Sequence, residues 1–144
     1  MSITAFDPLR LLRSLSEGGV RFVVIGEMAG LPWGLPVMSI LEICPEATAK
    51  NREALDKALQ RLGARPRGRE DAFETVAGPL DSVVVPAGTE GFEDLLRASV
   101  EYDIGDGVRV RFCSLEDLIR MKQAAARPID RIALEILGTV KKRR

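Results

Sequence analysis

Apolar positions along the chain fall into short runs punctuated by glycine and proline. Arg21–Ile25 reads RFVVI and stops at Gly26, the pattern of a strand buried on both faces. Ile40–Cys44 is a second strand, ended by Pro45. Phe73–Val76 and Leu80–Val85 read as strands around a turn at Gly78-Pro79, and Val100–Ile104 and Val108–Cys113 as a hairpin across Gly105-Asp106-Gly107. Helical spacing takes the remaining segments. Asp7-Pro8 caps a helix with Leu9, Leu11, Leu12 and Leu15 that ends at Gly18-Gly19. Met28 to Trp33 is a short helix before the break at Gly34-Leu35-Pro36. Thr48 caps Ala49–Leu62, whose apolar face is Ala54, Leu55, Ala58, Leu59 and Leu62, and Gly63 stops it. Gly91–Ala98 is a short helix. Ser114 opens another that carries Leu118, Ile119 and Met121, and Pro128 starts a last one with Ile132, Ile136 and Leu137.

This order of helices and strands predicts an α/β (α+β) fold, a mixed sheet flanked by helices in a single domain over 1–144. Within it, 1–19 form an N-terminal helix and 138–144 a basic tail, with Lys141-Lys142-Arg143-Arg144 at a helix C-terminus where cations oppose the macrodipole. A chain of 144 residues buries enough surface to fold without disulfides or metals. Cys44 and Cys113 lie in strands and read as buried free thiols. Near the N-terminus no basic region precedes an apolar stretch. The longest nearly uncharged segment, Met28–Leu41, has 14 residues and two prolines, too short to span a bilayer. The expectation is a soluble cytoplasmic protein with no membrane partner.

Composition narrows the chemistry. Lys and Arg total 21, as do Asp and Glu, so there is no basic field for non-specific nucleic-acid binding. There is no histidine at all, which excludes Ser-His-Asp and Cys-His nucleophile activation and Cys/His zinc sites. Chemistry falls to carboxylates, Lys, Arg, hydroxyls and backbone amides. Glu42 and Asp81 stand out as acids among apolar strand neighbours. Such an acid faces solvent, pairs with an arginine or ligates a metal, and position alone leaves the three open. Arg65, Arg67 and Arg69 form a dense basic cluster, read either as a solvated loop or as a phosphate or nucleic-acid contact. Lys122 lies off the stripe of Leu118, Ile119 and Met121 and reads as a helix-surface lysine or a phosphate contact.

A strand ending in Gly26, a short helix, a strand with Glu42 and a later strand with Asp81 resemble the nucleotidyltransferase superfamily. The similarity is to its small bacterial members, the minimal and AbiEii-toxin-like domains. It runs through FVVIGEMAG, LEICPEATAKNREALDKALQRLGARPRG, VAGPLDSVVVPAGTEGFEDLL and VRVRFCSLEDLIRMKQAAARPIDRIALEIL, from about Val20 to Leu137. The resemblance implies Mg²⁺ held by carboxylates, here Glu42, Asp81 and Glu27, with Asp81, Glu42 and Lys122 as catalytic residues. It implies a nucleotide near Gly26, Glu27, Ser39 and Arg127. Departures fall on this core. Glu27 replaces the second glycine of a Gly-Gly pair, Asp-x-Asp becomes Ile40-Leu41-Glu42, and Ile129 replaces a customary lysine, while Asp81, Lys122, Arg127 and Asp130 match. The implied function is a superfamily protein with weakened or lost transfer activity that binds a nucleoside triphosphate, an RNA or a protein partner. Two alternatives stand beside it. One is an active, toxin-like, Mg²⁺-dependent enzyme moving a nucleoside monophosphate to a hydroxyl, with Glu27, Glu42 and Asp81 rebuilding the metal site. The other is a non-catalytic scaffold, a homodimer through the apolar Met28–Leu41 segment.

Overall fold

Four buried residues, Phe22–Ile25, form β1, and everything else is arranged around them. A computed structural model describes residues 5–34 and 40–143. Before β1 comes α1 (Pro8–Glu17), capped by Asp7, whose carboxylate accepts from the Arg10 amide at 3.1 Å. After it the chain turns at once into α2 (Gly26–Ala29) and a 3-10 turn at Leu31–Trp33. Then follow β2 (Leu41–Pro45), α3 (Ala49–Arg61), β3 (Arg65–Pro66), β4 (Ala72–Thr75), β5 (Gly78–Ser82), α4 (Phe92–Ala98), β6 (Val100–Asp103), β7 (Arg109–Phe112), α5 (Leu115–Ala125) and α6 (Pro128–Arg143).

The strands make one seven-stranded mixed sheet in the order β3-β4-β5-β2-β1-β7-β6. β1 runs antiparallel to β2 and parallel to β7, and β2 runs parallel to β5. The β2–β5 register sets Glu42 beside Asp81, and the β1–β2 register sets Ile25 beside Glu42. Two chemistry-bearing positions therefore share one sheet address before any side chain is considered. Leu11, Leu12 and Leu15 of α1 and Leu55, Ala58 and Leu59 of α3 join the strands in one core.

Thr48 and Ser114 cap α3 and α5 as their positions predict, each accepting from the amide three residues on. Several expectations change. The short helix begins at Gly26 rather than Met28 and breaks at Gly30. The β4–β5 turn lies at Val76-Ala77, and Gly78 and Pro79 open β5. The Thr75 hydroxyl drives this shift by donating to the Gly78 carbonyl at 2.7 Å while accepting from the Ala77 amide at 3.0 Å. β5 ends at Ser82. The loop before β4 contains the two-residue strand β3, held by pairing Arg65 with Glu74. Leu9 is exposed, so the α1 stripe is Leu11, Leu12 and Leu15. On α6 Ile132 is exposed, and the buried face is Asp130, Ala133 and Leu137. This helix continues to Arg143, so the described residues from 138 to 143 are helical. Among the described residues no helix is long and apolar enough to cross a membrane. Cys44 and Cys113 are buried and free, and burial pushes both thiols up to about 12.

Asn51, on the buried side of α3, ties the helix to the sheet. Its carboxamide accepts from the Arg21 amide at 2.7 Å and donates to the Arg21 and Glu46 carbonyls at 2.9 and 2.8 Å. It thereby satisfies backbone groups at the entrance of β1 and the exit of β2. Asn51→Ala orphans the Arg21 amide and the Glu46 carbonyl, while the Arg21 carbonyl keeps the Glu46 amide at 3.0 Å. At about 1–3 kcal/mol per orphaned group before relaxation, the expected loss is about 2–3 kcal/mol of unfolding free energy, read by urea denaturation.

Candidate functional site

The site begins where β1 ends. Gly26 has φ +70°, a left-handed backbone that favours glycine, and a Cβ there would lie 2.9 Å from the Glu42 carboxyl group. The glycine is needed twice over, for the turn into α2 and for room. Here the neighbour that approaches Gly26 is the chain's own Glu42.

Beyond Gly26 lies a cleft of about 510 Å³ lined by Glu27, Ile40, Glu42, Arg67, Arg69, Pro79, Asp81, Arg127 and Ile129. The three acids implied as metal ligands thus converge, but two of them are already engaged. Asp81 accepts from Arg67 Nη2 on one oxygen and from Arg69 Nη2 on the other, the latter at 3.0 Å. Glu27 accepts from Lys122 Nζ at 2.7 Å. Glu42 is raised above the ordinary carboxylate range, first by burial and then by the charges of Glu27 and Asp81, against the opposing pull of Lys122 and Arg127. Ile40 supplies no oxygen.

A divalent cation needs carboxylate oxygens with free lone pairs and an excess of negative charge. Here guanidinium groups occupy both Asp81 oxygens, and among the described residues no group of three or more His, Cys, Asp or Glu is placed to hold a metal ion. The residues present do not fit Mg²⁺. Of the arginine cluster, weighed as a solvated loop or a ligand contact, Arg67 and Arg69 pair with Asp81, while Arg65 lies on β3 opposite Glu74. The polypeptide makes this possible by folding back tightly. The Arg67 amide donates to the Ala72 carbonyl at 2.8 Å, the Ser82 amide donates to the Asp71 carbonyl at 2.8 Å, and Gly68 turns with φ +83° between the two arginines.

Lys122 corrects its surface reading. It is 4% exposed, because Leu115, Leu118 and Lys122 share one buried stripe of α5 at helical spacing. Its ammonium lies between Glu27 and Asp130, the latter at 3.4 Å. Asp130, fully buried, also accepts from the Arg127 amide at 3.0 Å and from its Nε at 2.8 Å. Burial works to raise the Asp130 carboxyl, but these hydrogen bonds and the two cations outweigh it and hold the group below its ordinary value. Asp130 was legible only as one matching position in a motif, although its spacing to Ala133 and Leu137 marks the buried face of α6. Ser39 lies outside the described residues.

Two outcomes follow. Lys122→Ala strands Glu27 and leaves Asp130 to Arg127 alone, and is expected to cost about 3 kcal/mol in denaturant unfolding. Glu42 behaves oppositely. A carboxyl raised on folding stabilises fully below its unfolded value and loses that contribution as pH rises through the folded one. Glu42→Gln should therefore leave melting nearly unchanged near about pH 4 and raise the melting temperature progressively toward about pH 8, in parallel thermal melts.

No protein-family model matches this sequence, and no curated protein matches it. By structure the chain is similar to the antibiotic-resistance factor ANT(2'')-Ia, whose solution structure is described as revealing substrate-regulated conformation dynamics. The TM-score is 0.63 at 18% identity, covering 92% of this chain and 83% of that one. At that identity the likeness is one of architecture. The helices and mixed sheet of this chain form a nucleotidyltransferase-like fold.

Proposed function

We propose that this protein binds a nucleotide in the cleft between β2, β5 and the start of α6, and that its transfer activity is weakened or lost. The observation that carries this reading is Asp81, with Arg67 on one carboxylate oxygen and Arg69 on the other. Nucleotidyl transfer on this kind of fold depends on metal ions that clamp the phosphates and activate the attacking hydroxyl. With Asp81 engaged, Ile40 in place of an oxygen ligand and Glu27 committed to Lys122, the side chains that would hold such ions are taken.

Binding survives that loss. A cleft of about 510 Å³ lies within the range of small-molecule sites. Arg67, Arg69 and Arg127 offer guanidinium forks suited to phosphate oxygens, and Ile40, Pro79 and Ile129 offer an apolar wall for a base. Lys122 is assigned a positioning role, since its ammonium is buried behind Glu27 rather than presented to the cleft. RNA or protein partners of the bound state are compatible with this reading and are not needed for it.

Incubation of the full chain with labelled nucleoside triphosphates, Mg²⁺ or Mn²⁺ and bulk RNA is expected to give no label transfer above background. Robust labelling that disappears in Asp81→Ala would overturn the proposal in favour of an active enzyme.

A further inference from the structure

In this cleft the arginines meet an incoming ligand before Asp81 does. The Arg67 and Arg69 side chains are 37% and 63% exposed, whereas Asp81's is 9% exposed beneath them. Each guanidinium reaches the carboxylate through one Nη2, so each fork keeps donor capacity beyond the Asp81 bond. Among the described residues Arg67 Nε is buried with no hydrogen-bond partner, an unspent donor in the same cluster, whereas Arg69 Nε faces Asp71 at 3.4 Å. On the opposite wall Arg127 is held by Asp130 through Nε and Nη2. Together the Asp81-bound arginines carry the charge of one divalent cation. That charge is fixed, because a guanidinium stays protonated, and it is covalently part of the chain.

We propose that a phosphate-bearing ligand binds here without a divalent cation, by displacing Asp81 from Arg67 and Arg69, so that Asp81 acts as a built-in competitor that weakens binding. This rests on the nucleotide-binding reading of the cleft and adds its mode and its regulation. A phosphate group brings more negative charge and more acceptor oxygens than one carboxylate, and charge-assisted bonds to guanidinium are strong. The displaced carboxylate remains buried next to Glu42 and close to the new anion, which sets the cost of binding. Removing the charge at Asp81 must then strengthen binding. A metal-holding carboxylate has the opposite sign, because its removal takes the cation and the nucleotide with it.

Calorimetric titration of the full chain with ATP, in EDTA and in Mg²⁺, decides between them, with tripolyphosphate and adenosine titrated alongside. The expected result is ATP and tripolyphosphate affinity that does not fall in EDTA. Asp81→Asn should tighten it by about tenfold or more, the scale of one hydrogen bond to a charged group. The single variant Arg69→Gln, on the more exposed side chain and leaving Asp81 paired with Arg67, should weaken it severalfold and keeps the test available if Asp81→Asn misfolds. ATP binding that is lost in EDTA, or weakened by Asp81→Asn, overturns this inference and leaves nucleotide binding standing. Binding of adenosine but not tripolyphosphate also overturns it. No binding of ATP by any form overturns both readings.

Discussion

An ammonium group in a protein interior must be paired, and the site end of this molecule is organised around one. Lys122 projects from α5 into the space where α2 and the first turn of α6 meet, with Glu27 on one side and Asp130 on the other. Desolvating such a charge costs several kcal/mol, recovered only when the partners are close and themselves satisfied. Asp130 meets that condition through Arg127, whose amide and guanidinium both donate to it. The result is a continuous chain of charge from the end of β1 to the start of α6. It ties α2, α5 and α6 together, pairs Glu27 with a cation, and ends at Arg127, which with Ile129 lines the cleft.

The same logic explains what could be read from the sequence. Asp7, Thr48 and Ser114 announce helix starts because a cap is settled within four residues, by one oxygen and one nearby amide. β1 announces itself because a strand buried on both faces must be continuously apolar, and β2 follows the same pattern interrupted by Glu42. Longer-range effects were not legible. β3 exists because β4 pairs with it, and the turn falls at Val76-Ala77 because a threonine hydroxyl competes with the usual preference for Gly-Pro. The stripe of Leu118, Ile119 and Met121 alone leaves Lys122 peripheral. Including Leu115, which follows directly on the cap, rotates the apolar face onto it.

At the site itself, sequence located the strand positions but not their partners. Glu42 and Asp81 stand side by side, as two acids on neighbouring strands suggest. What surrounds them comes from a loop and from helices distant in sequence. Whether a buried acid is a metal ligand or one half of an ion pair depends on whether a cation reaches it, and here two guanidinium groups do. Glu42, with no cation in ion-pair contact among the described residues, meets the same requirement by a carboxyl raised toward its neutral form, chiefly through burial. Two adjacent carboxyl groups thus solve one desolvation problem in two different ways.

The sheet's ends carry a consequence of another kind. A mixed sheet of this width exposes two strands with unpaired backbone groups, the usual template for strand addition by other chains. On the cleft side the last strand, β3, is only two residues long, and one of them, Pro66, has no amide to offer. On the far side β6 carries Glu101 and Asp103, and Glu101 is bridged back to Arg109 and Arg111 of its own partner strand. Both borders are therefore poor substrates for edge-to-edge growth. The protein protects its sheet from aggregation by brevity and proline at one end and by charge at the other.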